Sequence, residues 1–340
     1  MTKVGAGGPD VLLFTGVELR SLWGRRFRAV PTALVADAFA GGTAFGGYPM
    51  TSFERAIGFA EEILWTDTFF GGLRFVLAGA LPALLAGKLA GLALGGFGAD
   101  AAAGSACVEL RSLRESALTV VDRLGRGDLA AAAAWARGSD KTGDPQLSFD
   151  GVVEAAIETI ATKLVEEVVG PLVFLNLAGA SGALAYRAVG TMSGKAQRRQ
   201  GAYARFGAVP MRLSEILGRF PGRLAALAIC SSANGDTRTL YLRARQESLA
   251  HPSPGTGLVR AAMACALEVG PGAAGSTSAG LPGRQPFGPP RTVRPEDIEK
   301  AVVLAERASV LVALWLMATD LGLWVVSPRL LRRRRQKGDS

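Results

Sequence analysis

Few side chains in this sequence sit in a pattern that carries chemistry by itself. The single histidine, His251, excludes a histidine-cluster metal centre. Cys107, Cys230 and Cys265 are odd in number and far apart, which excludes a disulfide framework and a paired-cysteine metal site. The nearest approach to a phosphate loop, Gly190-Thr-Met-Ser-Gly194-Lys195-Ala196, has one residue too few between its glycines and an alanine where a hydroxyl should hold magnesium. Gly96-Phe97-Gly98 has no strand before it, so it is not a dinucleotide fingerprint. No nucleophile elbow, zinc-protease motif or calcium loop is present. Any chemistry must come from separate polar residues gathered by the fold.

The candidates for that gathering are few. Glu158 closes an amphipathic stretch just before an uncharged run, where a carboxylate could hold a magnesium nucleotide or an ammonium, or else face solvent. His251 lies in a proline-rich loop, where its ring could take a proton from an attacking amine or could merely cap or pack. Arg205, Arg212 and Arg223 could clamp phosphates bidentately, although basic stretches beside apolar runs also meet lipid headgroups. Tyr203 and Phe206 stand one helical turn apart, as interfacial packing or as a ligand shelf. Asp320, in an apolar run, is either a polar contact between helices or a functional group.

The elements that must position these residues are helical and apolar. Of 340 residues 49% are hydrophobic and only 20% charged, and the mean hydropathy is +0.25, which leans towards a membrane and away from disorder. The net charge of +9 would suit nucleic acid, but aromatic residues are 7% and no stacking motif accompanies the basic stretches. Anionic lipid or a phosphorylated substrate is the expected counter-charge. Three runs are candidate spans: 75–98, with Pro82 and Lys88; 168–186, without charge; and 308–326, with Asp320 alone. No cleaved signal peptide is read at the N-terminus. The chain is expected to divide into an N-terminal helical region 1–74, a membrane domain 75–326 with polar loops 99–167 and 187–307, and a basic tail 327–340. Residues 151–169 place Val152, Ala155, Ala156, Ile160, Leu164 and Val168 on one stripe, with Glu154, Glu158, Glu166 and Glu167 largely off it. Residues 296–307 predict a second amphipathic helix, and 251–295 a long loop carrying a short helix.

The positive-inside rule puts both 187–223 and the arginine tail in the cytoplasm. Two cytoplasmic segments need an even number of crossings between them, and only 308–326 lies there. Either 224–232 adds a weak pass, or one apparent span is re-entrant or interfacial.

The run from Ala155 through Leu224, continuing into His251-Pro252-Ser253-Pro254, Ala262-Met263 and Asp297-Ile298, resembles the CbiB/CobD family of cobalamin biosynthesis over roughly residues 118–312. The resemblance implies a mainly α, polytopic protein of the bacterial inner membrane with adenosylcobinamide-phosphate synthase activity. It implies ATP and magnesium, a corrinoid carboxylate and aminopropanol or its phosphate as substrates, other membrane proteins of the cobalamin pathway as partners, and no nucleic acid. It assigns Glu158, His251 and Asp140 to catalysis. Thr191, Tyr203, Arg205, Arg223 and Ser253 go to substrate or phosphate, and Glu158, Glu166 and Glu247 to metal. Departures fall on polar positions: Thr162-Lys163 stands for a Glu-Asn pair, Glu166 for an Asp, Ser214-Glu215 for paired aspartates, and Gly218 and Gly255 for asparagines. A scaffold without those oxygen donors would instead serve as a membrane binding or assembly subunit, which is the alternative reading.

Overall fold

The computed structural model describes residues 29–38, 48–136, 148–198, 204–249, 254–269 and 293–338, and among them every regular element is a helix. In order these are α1 (Ala29–Ala38), α2 (Tyr48–Leu64), α3 (Phe69–Cys107), α4 (Leu110–Gly125), α5 (Leu129–Ala136) and α6 (Phe149–Lys163). A π-helical turn (Leu164–Val169) follows, and then α7 (Gly170–Arg198), α8 (Ala208–Ser232), α9 (Thr237–Ser248), α10 (Pro254–Ala266) and α11 (Pro295–Gly338). Caps set several starts. Thr68 accepts the Gly71 amide at the head of α3, Ser148 accepts that of Gly151 at α6, and Asp236 accepts that of Thr239 at α9. α4 has no cap from its own chain neighbour. Asp37 of α1, 74 residues away, accepts the Arg111 amide at 2.9 Å instead.

The expected stripe is the centre of the molecule: Val152, Ala156, Ile160, Leu164 and Val168 are all fully buried. Of the three runs of helix long and apolar enough to cross a membrane, Phe69–Gly125 contains the expected span 75–98, Phe149–Gln197 contains 168–186, and Pro295–Thr319 covers 308–319 of the expected 308–326. The segments expected as polar loops between them are largely helical instead, α4 to α6 and α8 to α10, because their apolar residues pack into the core. Residues 224–232 form the buried end of α8, with Ala225, Ala226, Ala228, Ile229 and Cys230 inside the core. Those five are packed against protein, while Leu227 is 38% exposed.

Two of the long helices double back. Within α7, the Tyr186 ring lies against Gly170 and stacks on Phe174 at 4.9 Å. A straight helix would hold residues 170 and 186 about 24 Å apart. The reversal is at Gly179, with φ 65° and ψ −155°, a conformation open essentially to glycine alone. α3 reverses at Gly95, with φ 72° and ψ 157°. Consequently the Leu84 carbonyl accepts the Ser181 hydroxyl at 3.0 Å, while the Asp100 carboxylate accepts the Ala180 amide at 2.7 Å, so residues 84 and 100 flank the same turn of α7. That amide begins the returning arm of α7 and would otherwise lack an acceptor. The result is two interlocked helical hairpins with tips at Gly95 and Gly179.

Candidate functional site

Opposite the tips, the bases of the two hairpins meet in a cluster of charges, and the π turn builds it. Pro171 has no N–H to give the Glu167 carbonyl, and its ring crowds that carbonyl in a regular helix. The chain widens by one residue: the Gly170 amide bonds the Val165 carbonyl. The Glu167 carbonyl accepts the Glu109 amide at 3.1 Å, from the junction of α3 and α4. Such single π turns are frequent at functional sites.

Side chains then converge. Arg187 of α7 pairs with Glu109 at 2.6 Å, both mostly buried. Lys163 pairs with Glu167 one turn on. Arg260 of α10 donates through Nε to the Thr162 hydroxyl at 3.0 Å and reaches Glu158 at 3.4 Å. Glu166 is exposed and feels the charges of Glu167, Lys163, Arg187 and Arg260. Four carboxylates and three cations therefore share one polar region at the edge of an apolar core. Carboxylates can hold an ammonium, and the guanidinium and ammonium groups can hold phosphate or carboxylate.

The expected residues divide. Glu158 and Glu166 are in the cluster. Thr191 is one turn beyond Arg187 and gives its hydroxyl to the Arg187 carbonyl at 3.0 Å. Glu247 lies apart on α9, within electrostatic reach of Cys265. Among the described residues no three His, Cys, Asp or Glu side chains stand together as a metal cage. Arg205 and Arg223 are exposed, and among the described residues no hydrogen bond or ion pair joins either to the cluster. Arg223 shares an exposed face of α8 with Arg212, Ile216, Arg219 and Phe220, an arrangement suited to a lipid interface. Phe206 is core, stacked on Phe75 at 5.1 Å. Asp140, Tyr203, His251 and Ser253 lie outside the described residues, and so does the side chain of Asp320.

Sequence reasoning missed Glu109, Arg187, Glu167 and Arg260. Arg260 is a lone charge within the apolar turns of α10, and only the Gly170-Pro171 pair hinted at the widened turn.

Comparison with known proteins bears on what this cluster serves. The family model described as CobD/Cbib protein matches residues 30–305. The Cobalamin biosynthesis protein CobD of Mycobacterium tuberculosis (strain H37Rv) is 31% identical over 266 residues, 76% of this chain and 85% of that protein. That of Mycobacterium bovis is 30% identical over 296 residues, 84% and 93% of the two chains. That of Geobacter metallireducens is 30% identical over 259 residues, 71% and 79%. No solved structure matches the chain. All seven charged residues of the cluster lie within the matched range.

Proposed function

Because the chain belongs to the CobD/Cbib family, we propose that it acts in cobalamin biosynthesis as the adenosylcobinamide-phosphate synthase, a membrane-embedded ligase working on a corrinoid. The reaction joins a corrinoid side-chain carboxylate to the amine of aminopropanol or its phosphate, with ATP activating the carboxylate. The observation that carries this reading is the cluster itself, in which partly and mostly buried carboxylates and cations stand together at the π turn inside the matched region. The substrates bear the same complementary groups: a carboxylate, an ammonium and phosphates.

In this reading Arg260 and Lys163 receive phosphate, leaving Glu158 or Glu167 as they do so, and Glu166 holds the incoming ammonium. Asp140 and His251 remain candidates from the resemblance, His251 for the proton released when the amine attacks. A magnesium ion carried in on nucleotide phosphates needs only one or two protein carboxylates. Glu158, more than a third exposed and facing Arg260 at 3.4 Å, fits that requirement. Such an ion would supply charge neutralisation at the phosphates. We place the protein in the bacterial inner membrane.

The experiment is complementation of a bacterium lacking its own synthase, with growth made dependent on cobalamin from cobyric acid. Growth that is lost with Glu158→Gln and Arg260→Gln but kept with Arg223→Gln is the expected result. No growth with the wild-type chain, at normal levels of inserted protein, would refute the synthase and favour the binding-subunit alternative. Growth lost with Arg223→Gln and kept with Arg260→Gln would move the phosphate contact to α8.

A further inference from the structure

α8 carries an outward stripe of mixed chemistry. Arg212, Ile216, Arg219, Arg223 and Leu227 recur at steps of four, three, four and four, the spacing of one helix face, and Phe220 adjoins them. All six are exposed, Ile216 to 58% and Phe220 to 59%. On the opposite side Leu213 and Leu217 pack against the core around Phe75 and Met192, and Pro221 is buried. Glu215 is the one acidic residue in 208–232, and among the described residues none of the three guanidinium groups has a carboxylate partner. A face bathed in water gains nothing from Ile216 and Phe220, and a face sunk in acyl chains rejects three arginines. The layer where phosphates meet acyl chains accommodates both.

The head of α8 is fixed to the place where a lipid-facing helix begins. The first arm of α3, in one of the runs able to cross a membrane, turns large apolar side chains outward from Phe69 and Phe70, which are 60% and 73% exposed. Trp65, just ahead of them, is exposed as well. Aromatic residues so placed mark the boundary between acyl chains and headgroups. Three contacts hold α8 there. The Arg205 amide donates to Asp67 at 3.2 Å, Phe206 stacks on Phe75, and Gly72 lies against the Phe206 carbonyl and the Val209 side chain.

We infer that this face of α8 is a binding surface for anionic phospholipid, with Arg212, Arg219 and Arg223 taking headgroup phosphates and Ile216 and Phe220 seated at the top of the acyl chains. Guanidinium groups grip phosphate oxygens in pairs. Three arginines against Glu215 select anionic over zwitterionic lipid, and each arginine near such a surface is worth roughly a fivefold preference. The surface also orients the helix. Residues 212 and 223 are about 16 Å apart along its axis, whereas one headgroup layer is about 6 Å deep. An upright α8 would spread its arginines over more than that depth, so residues 212–223 lie near the membrane plane. The three runs that can cross the bilayer are elsewhere in the chain, and α8 rests beside them at one surface. The surface keeps this role whatever the cluster at the π turn binds.

The test uses the full-length protein reconstituted in vesicles of phosphatidylcholine and phosphatidylglycerol, with a fluorophore on Phe220→Cys. The native cysteines are all buried. Quenching is measured with one lipid brominated on its acyl chains, then with the other, at equal mole fractions. The expected result is quenching by both, with brominated phosphatidylglycerol effective at a severalfold lower mole fraction. That preference should fall at least fivefold in an Arg212→Gln, Arg219→Gln background and shrink in high salt. Quenching by iodide in the water but by neither lipid would overturn the inference, since the face would then be solvated. Equal quenching by the two lipids, or a preference untouched by the double variant, would remove the arginines from any phosphate contact with lipid. Millimolar inorganic phosphate that abolishes the preference would make the face a site for free phosphate, and disulfide capture between two copies without lipid quenching would make it a contact between subunits; either overturns it. Should Phe220→Cys fail to insert, Ile216→Cys reads the same face.

Discussion

The two ends of the paired hairpins are made from the same helices and obey opposite rules. At the tips, α3 and α7 hold no charge over 89–99 and 168–186, turn on glycines held at positive φ, and are locked together by the bonds from Ala180 to Asp100 and from Ser181 to Leu84. At the base, the same helices carry Glu109 and Arg187, and the neighbouring π turn adds Lys163, Glu166 and Glu167. The tips depend on backbone conformation, with side chains that are largely interchangeable. The base depends on side-chain identity, because each of its three cations is paired with a named carboxylate. A change of residue type should therefore be severe at the base, and a change of backbone freedom should be severe at the tips.

The sharpest test of that contrast is Arg187→Met. It leaves Glu109 mostly buried without its cation, a loss of about 3–5 kcal/mol for a broken buried pair. The melting temperature in detergent should fall steeply, and adding Glu109→Gln should restore much of it. A double variant as unstable as the single one would mean that the pair is no unit and that the base does not work by matched charge.

Smaller, and at the other end, is Gly179→Ala. Its backbone conformation costs about 1–3 kcal/mol for any other residue, and the added methyl would meet Asp100 Oδ1 at 2.6 Å. Gly95→Ala carries the same backbone cost but enters open space. The expected order of melting temperatures is wild type, then Gly95→Ala, then Gly179→Ala. Equal losses would show that the lock adds nothing to the turn.

The smallest expected effect concerns the carboxylate that caps α4. Burial pushes the Asp37 carboxyl above its ordinary value, although the Arg111 and Leu110 amides and the Arg111 charge oppose this. The folded chain therefore binds that proton more tightly than the unfolded one. The group's stabilisation is full below the ordinary carboxylate value and declines as pH rises through the raised one. Asp37→Asn keeps an acceptor for the Arg111 amide and cannot ionise, so the variant should gain on the wild type across that acid window and run parallel above it. Unfolding midpoints measured from pH 3 to pH 8 would decide it; a constant difference between the two proteins would contradict the assignment.

What could be read beforehand follows from range. The helices, the buried stripe of α6 and the apolar runs were legible because each is a local period: Val152, Ala156, Ile160 and Leu164 announce one face of one helix. The reversals were not, because the sequence holds 44 glycines and nothing local distinguishes Gly95 or Gly179 from the helical Gly87 or Gly91. The cluster was half legible. Glu158 stood out before an uncharged run and Glu166 through the family resemblance, whereas Glu109 and Arg187 are 78 residues apart and Arg260 lies 102 residues from Glu158. Arginines in the conspicuous basic stretch, such as Arg212, Arg219 and Arg223, lie instead on the outer face of α8.

The bond from Ala180 to Asp100 spans 80 residues of chain. A ribosome adding about 5–20 residues per second needs roughly 4–16 s to make that length. For that interval the first hairpin exists without the Ala180 amide that Asp100 accepts in the folded chain. The order of synthesis thus delays the joining of the two hairpins, and the second hairpin is the event that completes it.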